Sequence, residues 1–313
     1  MNEMCNTSRR VPWTAMALSF LAAGVGHVYC GRIGKGLLLY SAWPIVFLLL
    51  FMSAWLTPAT SVMVWLMILP VVGVCCVYLY AALDALVSAR RLGSTYELKE
   101  YNRSWLYALL VAMQLAVALA MMVATREFLY EAFYLPERSM SPNFLAGDRI
   151  LVNKLRSRRL FPERGDVIVY RNPDPTPGIA GQNYISRVIA VAGDRVVIKG
   201  RDVEVNGKKL ERDVVPVEST GAIRHQINGE VFFESQGGQR YKVMYGDDES
   251  GSSPSNEFKT VVPPRSVFVL GDNRNRSKDS RHFGSIHAGD ITGYVDYIYY
   301  PAEAWSRFGA TVE

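Results

Sequence analysis

Long apolar segments occupy the first part of the chain, and short segments of alternating character occupy the rest. No charged residue lies between Leu37 and Leu83, a run about twice the ~20 apolar residues that one helix needs to cross a bilayer. Thr57-Pro58-Ala59-Thr60 interrupts this run where a turn is needed. A further uncharged run extends from Trp105 to Thr125 and ends at Arg126. This pattern predicts three membrane-spanning helices.

A weaker apolar segment extends from Trp13 to Cys30 and contains His27. The glycine-rich stretch Gly31-Arg32-Ile33-Gly34-Lys35-Gly36 follows it and is typical of a tight turn between two helices. We therefore expect a re-entrant or short spanning hairpin here. A cleavable signal peptide is the alternative, because Arg9 and Arg10 precede the apolar stretch.

From Tyr134 onward, short runs of apolar and polar residues in alternation are separated by turn residues, which is typical of an all-β domain. Asn206-Gly207 predicts a two-residue hairpin between Val203-Glu204-Val205 and Lys208-Lys209-Leu210. The segment from Glu234 to Glu257 is rich in Gly, Ser, Asp and Asn, and is predicted to be a solvent-exposed loop. The sequence thus predicts N-terminal transmembrane α-helices followed by an all-β barrel or sandwich.

We expect a membrane anchor of three to four helices over residues 1–125, a linker over 126–138 and the all-β domain over 139–313. The loop at residues 88–104 carries four basic residues, and the glycine-rich turn carries Arg32 and Lys35. Basic loops favour the cytoplasmic side, so the region after Arg126 is expected on the outer face. The formal net charge of +5 is modest, and fits basic loops beside anionic lipid better than binding to nucleic acid.

Five short motifs follow the last apolar run in a fixed order. They are Ser139-Met140-Ser141-Pro142, Arg164-Gly165-Asp166-Val167-Ile168-Val169-Tyr170, Tyr184-Ile185-Ser186-Arg187-Val188, Gly271-Asp272-Asn273-Arg274 and Ser277-Lys278-Asp279-Ser280-Arg281. A serine box after a membrane segment, followed by these motifs, resembles bacterial type I signal peptidases. These are membrane-anchored Ser-Lys proteases that remove signal peptides. The resemblance extends over roughly residues 133–297.

The resemblance implies roles for individual residues. Ser139 corresponds to the nucleophile, Ser277 to a hydroxyl that hydrogen-bonds the family's lysine base, and Asp279 and Arg281 to a supporting ion pair. Six residues correspond to shallow apolar pockets that accept the small side chains of Ala-x-Ala-type cleavage sites: Phe133, Leu135, Pro136, Met140, Tyr184 and Ile185.

Two positions depart from the family pattern. Ser186 stands where the family has its general-base lysine, and a neutral hydroxyl is a poor base. Glu137 stands where the family usually has a hydroxyl that donates to the oxyanion. On an extended strand Glu137 would share a face with Ser139, where it could act as a base, or as a protonated donor if it were buried.

Two further residues are candidates for a substitute base. Lys278 follows Ser277, although on an extended strand it would point to the opposite face, and His282 lies three residues beyond Asp279. Lys154 follows a predicted strand and is expected to be structural. The absence of any competent base is the remaining alternative.

The resemblance implies a membrane-bound serine endopeptidase that removes signal peptides from secreted preproteins. It would be a multi-pass protein of the bacterial cytoplasmic membrane with its catalytic domain on the outer side. Its expected partners are signal peptides, the lipid bilayer and the secretion machinery. No CxxC motif or His/Cys cluster is present, so we expect no metal or cofactor.

Two other functions are compatible with the sequence. A catalytically silent homologue could bind signal peptides or accompany an active peptidase, and Ser186 and Glu137 favour this alternative. A transporter or membrane sensor built on residues 1–125 would draw its support from hydropathy alone.

Overall fold

The computed structural model describes residues 10–56, 60–92, 96–159, 161–178, 180–216, 227, 229–246 and 257–310. The chain divides into two compact units, Met1–Arg126 and Glu127–Glu313. The helices of the first unit are α1 (Pro12–Leu21), α2 (Val25–Tyr29), α3 (Ile33–Leu56), α4 (Thr60–Leu92) and α5 (Ser104–Phe128).

Three long apolar helices form the main part of the first unit, as the hydropathy pattern predicts. Among the described residues, Val71–Leu92 of α4 and Ser104–Phe128 of α5 are long and apolar enough to cross a membrane. The apolar stretch of α3, Ile33–Leu49, is shorter. Of the predicted turn, residues 57–59 lie outside the described residues, and Thr60 begins α4.

The weaker apolar segment is a hairpin of two short helices. α1 has ten residues, which gives it a length of about 15 Å, half of a bilayer core. The chain reverses at Gly24, whose φ of 90° lies in the left-handed region. The Val11 amide donates to the Tyr29 hydroxyl at 3.2 Å, so the start of α1 lies beside the end of α2. The segment thus forms a hairpin of two short helices, as the sequence predicts.

The two basic loops meet at one end of the first unit. Asn102, between α4 and α5, donates from Nδ2 to the Val28 carbonyl at 3.1 Å. The Tyr101 hydroxyl donates to the Gly31 carbonyl at 2.9 Å. The segment before α5 therefore packs against the turn that precedes α3, and both basic loops lie on the same side of the helices, as the positive-inside prediction requires.

The second unit is built on antiparallel strands, which confirms the predicted fold class of N-terminal helices followed by an all-β domain. A seven-stranded sheet has the order β1-β2-β14-β3-β4-β12-β13, and smaller sheets have the orders β10-β9-β8 and β11-β5-β6-β7. The strands are β1 (Tyr130–Tyr134), β2 (Arg149–Asn153), β3 (Val167–Arg171), β4 (Asn183–Val191), β5 (Arg195–Lys199), β6 (Asp202–Val205), β7 (Lys208–Lys209), β8 (Glu211–Val214), β9 (Gly229–Gln236), β10 (Gln239–Gly246), β11 (Phe258–Val261), β12 (Ser266–Leu270), β13 (Ile286–His287) and β14 (Ile291–Tyr300). Two short helices accompany them, α6 (Lys154–Arg159) and α7 (Ser280–Phe283).

The central strand β3 explains the continuous apolar run that the sequence shows at this position. Val167 and Val169 face one buried cluster that includes Met140. Ile168 and Tyr170 face a second cluster on the other side of the sheet. A strand buried on both faces needs apolar side chains at successive positions, so the usual alternation disappears.

The structure confirms one of the two turn predictions and corrects the other. Asn206 and Gly207 have φ of 53° and 78°, as a two-residue hairpin turn of this kind requires. The predicted loop at 234–257 is wrong for residues 234–246, because Gly229–Gln236 pairs with Gln239–Gly246. Its buried aromatic and aliphatic side chains pack into the core, and polar Glu234 is buried in an ion pair with Arg274. Residues 247–256 lie outside the described residues.

The expected linker at 126–138 contains a regular strand. Tyr130–Tyr134 forms β1, which pairs with β2 along its whole length. β1 therefore belongs to the sheet and leads directly to the turn that carries Ser139.

Candidate active site

Ser139 lies in the turn between β1 and β2. Two backbone hydrogen bonds close the base of this turn, from Leu135 N to Asp148 O at 2.9 Å and from Gly147 N to Leu135 O at 2.7 Å. The next residue after the serine, Met140, is 1% exposed and packs into the core below. Ser139 is half-buried, and its position is fixed because moving Met140 out of the core would expose a large apolar surface.

An open groove next to Ser139 collects the residues that the resemblance assigns to substrate binding. All six of them line it, together with Ser139 and Glu137. Five further residues that the resemblance does not assign also line the groove: Tyr134, Ile150, Val169, Gln182 and Asn183. Gln182 and Asn183 directly precede Tyr184 in the sequence, and that adjacency is the signal that could have identified them.

One buried ion pair connects three of the five sequence motifs with the residue that follows the serine box. Arg187 donates from Nε and Nη2 to the two carboxylate oxygens of Asp272, both at 2.8 Å. Its Nη1 donates to the Gly165 carbonyl at 2.8 Å. Asn143, the residue after the serine box, donates from Nδ2 to Asp272 at 2.7 Å. Residues that lie far apart in the sequence thus meet at this ion pair.

The turn after β12 holds the backbone of Ser139 directly. The Asn273 amide donates to the Ser139 carbonyl, and the Asn273 side chain donates to the Arg138 carbonyl, both at 3.0 Å. A Cβ added to Gly271 would lie 2.7 Å from the Ser139 carbonyl oxygen and 2.2 Å from Ser277 Oγ. Gly271 therefore allows the serine turn and Ser277 to approach each other closely.

Asp279 and Arg281 form the ion pair that the resemblance implies. Arg281 donates from Nε and Nη2 to both oxygens of Asp279 at 2.8 Å. Asp279 also accepts from the Gly271 amide at 3.0 Å, and Arg281 donates to the Arg274 carbonyl at 2.7 Å. This pair holds the turn that contacts Ser139 and does not line the groove.

Ser186 is buried on the strand that flanks the groove, with 1% of its surface exposed. Successive residues of a strand point to opposite faces, and it is Ile185 that lines the groove. The Ser186 hydroxyl donates to the Ile185 carbonyl at 2.7 Å and lies 3.1 Å from the Tyr170 hydroxyl. Burial raises the pKa of Tyr170, so this phenol stays neutral and cannot take the role of the missing base.

Glu137 lies near the serine, but the expected geometry is wrong. Residues 135–138 are not part of a strand, so the alternation that would place Glu137 and Ser139 on one face does not apply. Glu137 is exposed at the groove. Exposure removes the desolvation that a protonated donor would need, so this proposed role for Glu137 is not supported by the structure.

Lys278 and His282 each have another partner. The Lys278 ammonium donates to Asp174 at 2.6 Å, and this hydrogen bond raises the pKa of Lys278, which keeps the amine protonated. His282 Nδ1 accepts from the Asp279 amide at 3.4 Å in the capping box of α7. Neither residue lines the groove. Lys154 pairs with Glu131, in agreement with a structural role.

The profile of the family described as "Signal peptidase, peptidase S26" matches residues 106–300, more than half of the chain. The chain belongs to this family. The signal peptidase I of Bacillus caldolyticus is 32% identical over 186 residues, which cover 59% of this chain and 87% of the relative. The probable signal peptidase I-1 of Synechocystis is 32% identical over 202 residues, which cover 63% of this chain and 84% of that protein.

Among these relatives is a protein described as inactive. The inactive signal peptidase IA of Staphylococcus aureus is 28% identical over 197 residues, which cover 63% of this chain and 93% of the relative. A solved signal peptidase I from Enterococcus faecalis is 25% identical, covering 43% of this chain and 97% of its own, with a TM-score of 0.26. The relatives of this chain thus include proteins named signal peptidase I and a protein named as inactive.

Proposed function

We propose that this member of the signal peptidase family binds the cleavage-site segment of signal peptides without hydrolysing it efficiently. The observation that carries the proposal is the contrast between a complete groove and a missing base. The groove retains all six apolar positions of the family. The lysine position holds Ser186, whose hydroxyl is buried and bonded to Ile185 and Tyr170.

The residues around the groove support retention of peptide binding. Signal peptides end in small side chains, and shallow apolar pockets select such side chains by excluding larger ones. The ion pair of Arg187 with Asp272 and that of Arg281 with Asp279 keep the serine turn in place although no lysine is present. A peptide laid along this groove would place its small residues against Met140 and Ile185 and its carbonyl near Ser139.

A serine endopeptidase is the second candidate, and Ser139 itself favours it. The serine is half-exposed and lines the groove, which is the position that a nucleophile needs. In this alternative Ser139 attacks the scissile carbonyl, and its proton is taken by a group such as Glu137 or by water. A removed lysine base costs an enzyme of this type several orders of magnitude in rate, so residual activity would be low.

The apolar helices of the first unit support a function at a membrane. We propose that the groove lies on the outer side of the bacterial cytoplasmic membrane, where preproteins emerge from the secretion machinery. The basic residues in the loops of the first unit support this orientation. The partners proposed are signal peptides, the bilayer and an active peptidase or translocation component.

The test is direct binding of a synthetic signal peptide that ends in Ala-x-Ala, labelled with a fluorophore, to the detergent-purified full chain. Ile185→Trp fills the groove and is expected to weaken binding at least about tenfold, a loss of about 1.4 kcal/mol. Val261→Trp adds the same side chain at a position that is 55% exposed, and should leave binding unchanged. Equal affinities of both variants and the wild type would reject the proposal.

A further inference from the structure

A buried arginine in the first unit has no acidic partner among the described residues. Arg10, just before α1, is 6% exposed. Its Nε and Nη2 atoms are buried and form no hydrogen bond with any residue that the structure describes. A guanidinium is always charged at physiological pH, and burying such a charge without a counter-ion costs several kcal/mol.

The surroundings of Arg10 offset only part of this cost. Its guanidinium carbon lies 4.3 Å from the centre of the Tyr29 ring and 4.7 Å from the centre of the Tyr96 ring. Each such cation–π contact is worth about 0.5–2 kcal/mol. Both rings lie within cation–π distance of the guanidinium, and the two atoms without a hydrogen-bond partner, Nε and Nη2, lie along one of its edges.

The edge of the Arg10 guanidinium that lacks a partner is the edge through which three other arginines of this protein bind carboxylates. Nε and Nη2 form one planar fork. Arg164 uses this fork to hold both oxygens of Asp194, at 2.9 and 2.6 Å. Arg187 and Arg281 hold Asp272 and Asp279 in the same way. In Arg10 the same fork is buried but lacks the oxyanion that the other three hold.

The position of Arg10 indicates where that oxyanion comes from. Tyr96 belongs to the segment between α4 and α5, and Tyr29 ends α2, so Arg10 lies at the end of the first unit where the basic loops meet. At the same end, Arg32 donates to Ser88, and Lys35 pairs with Asp84. Basic groups clustered between helix ends at a membrane surface are typical of sites for anionic lipid headgroups.

We propose that Arg10 binds a phosphate oxyanion through its Nε–Nη2 fork, with Tyr29 and Tyr96 enclosing the guanidinium. The phosphate is carried either by a phospholipid headgroup or by free phosphate. A bidentate contact to phosphate satisfies both buried donors and compensates the charge. The N-terminal unit therefore contains a phosphate-binding site that is separate from the groove of the second unit.

The experiment titrates the detergent-purified full chain with short-chain phosphatidylglycerol, with phosphatidylcholine and with inorganic phosphate, and follows thermal unfolding. A ligand that binds the native state raises the unfolding temperature, by an amount that grows with the logarithm of the ratio of ligand concentration to Kd. Arg10→Gln and Arg10→Lys are the test variants. Lysine retains the charge over the tyrosine rings but lacks the fork, and it keeps the test informative if Arg10→Gln fails to fold. Arg91→Gln removes one charge from an exposed position of α4 and is the matched control.

We expect phosphate-dependent stabilisation of the wild type and of Arg91→Gln, and at least about tenfold weaker binding by both Arg10 variants. Stabilisation by phosphatidylglycerol alone would identify the ligand as an anionic lipid. Stabilisation by both lipids would identify it as a phospholipid in general. Stabilisation by inorganic phosphate to the same extent would identify it as free phosphate. Binding that is equal in the wild type and both Arg10 variants would overturn the proposal. So would a lower unfolding temperature of Glu3→Gln than of the wild type without any added ligand, because the fork would then hold the chain's own carboxylate; Glu3 is the one acidic residue that precedes Arg10 in the sequence.

Discussion

Arg187 and Asp272 form a two-point ion pair in which each side chain is 1% exposed. The pair joins β4 to the turn after β12, and through Asn143 it also reaches the loop that carries Ser139. Neither residue lines the groove. These motif residues therefore form a structural framework, and it is present although Ser186 stands at the position that the resemblance assigns to the lysine base.

Asp272→Asn is expected to destabilise the second unit strongly. The substitution leaves the Arg187 charge buried without a counter-ion, which costs about 3–5 kcal/mol. Urea denaturation followed by circular dichroism measures the change. Glu230→Gln breaks the exposed pair with Arg201, whose side chains are 61% and 52% exposed, and should cost at most about 1 kcal/mol. Equal effects of the two substitutions would show that the buried pair does not hold the framework.

Gly271→Ala is expected to displace the serine turn. The new Cβ would meet Ser277 Oγ at 2.2 Å and the Ser139 carbonyl oxygen at 2.7 Å, and both groups would have to move. Overpacking of this kind costs about 1–3 kcal/mol. Gly34→Ala, where a Cβ meets nothing within 4 Å, is the control. We predict weaker signal-peptide binding for Gly271→Ala only; unchanged binding would show that the contact of Gly271 with Ser139 is dispensable.

Asp296 is expected to make the stability of the second unit depend on pH. Burial raises the pKa of Asp296 from 3.8 to about 6, although Asn153 donates a hydrogen bond to it at 3.0 Å. A carboxyl whose pKa is higher in the folded state favours folding while protonated. Its contribution is complete below about pH 4 and is lost as the pH rises to about 6, a change of about 3 kcal/mol.

Asp296→Asn removes this titration. Relative to the wild type, the variant should therefore gain stability as the pH rises from 4 to 7, as measured by urea denaturation at each pH. A difference between variant and wild type that stays constant over this range would contradict a raised pKa of Asp296 in the folded state.

Lys278→Ala is expected to leave both peptide binding and any cleavage unchanged. Lys278 is paired with Asp174, and the pKa of its amine is raised, so it remains protonated over the neutral range. Cleavage that depends on Lys278 would show that this lysine substitutes for the missing base.

His282→Ala removes half of the capping box of α7 and should cost about 1 kcal/mol of stability without a specific effect on binding.

Much of the fold and of the groove could be predicted from the sequence. Long uncharged runs, the Asn206-Gly207 turn and the order of the motifs are local signals, and the structure contains the features that they predict. The six expected groove residues could be predicted because they lie within the motifs that carry the resemblance or shortly before the serine box.

The environment of the candidate bases depends on contacts between distant residues. Asp174 and Lys278 are 104 positions apart, and Tyr170 and Ser186 are 16 positions apart on neighbouring strands. No sequence spacing reveals that these pairs form. The hairpin at 229–246 was missed for a related reason, since its polar Glu234 is compensated by an arginine 40 positions away.

The most direct test of the account is cleavage of a preprotein with an Ala-x-Ala site by the detergent-purified wild type, Ser139→Ala, and the double variant Ser186→Lys with Tyr170→Phe. The double variant restores the lysine and removes the phenolic hydroxyl that lies 3.1 Å from Ser186 Oγ. We predict no cleavage by the wild type, cleavage by the double variant, and its loss when Ser139→Ala is added. Cleavage by the wild type that Ser139→Ala abolishes would contradict the account and establish a serine endopeptidase that works without the family's lysine.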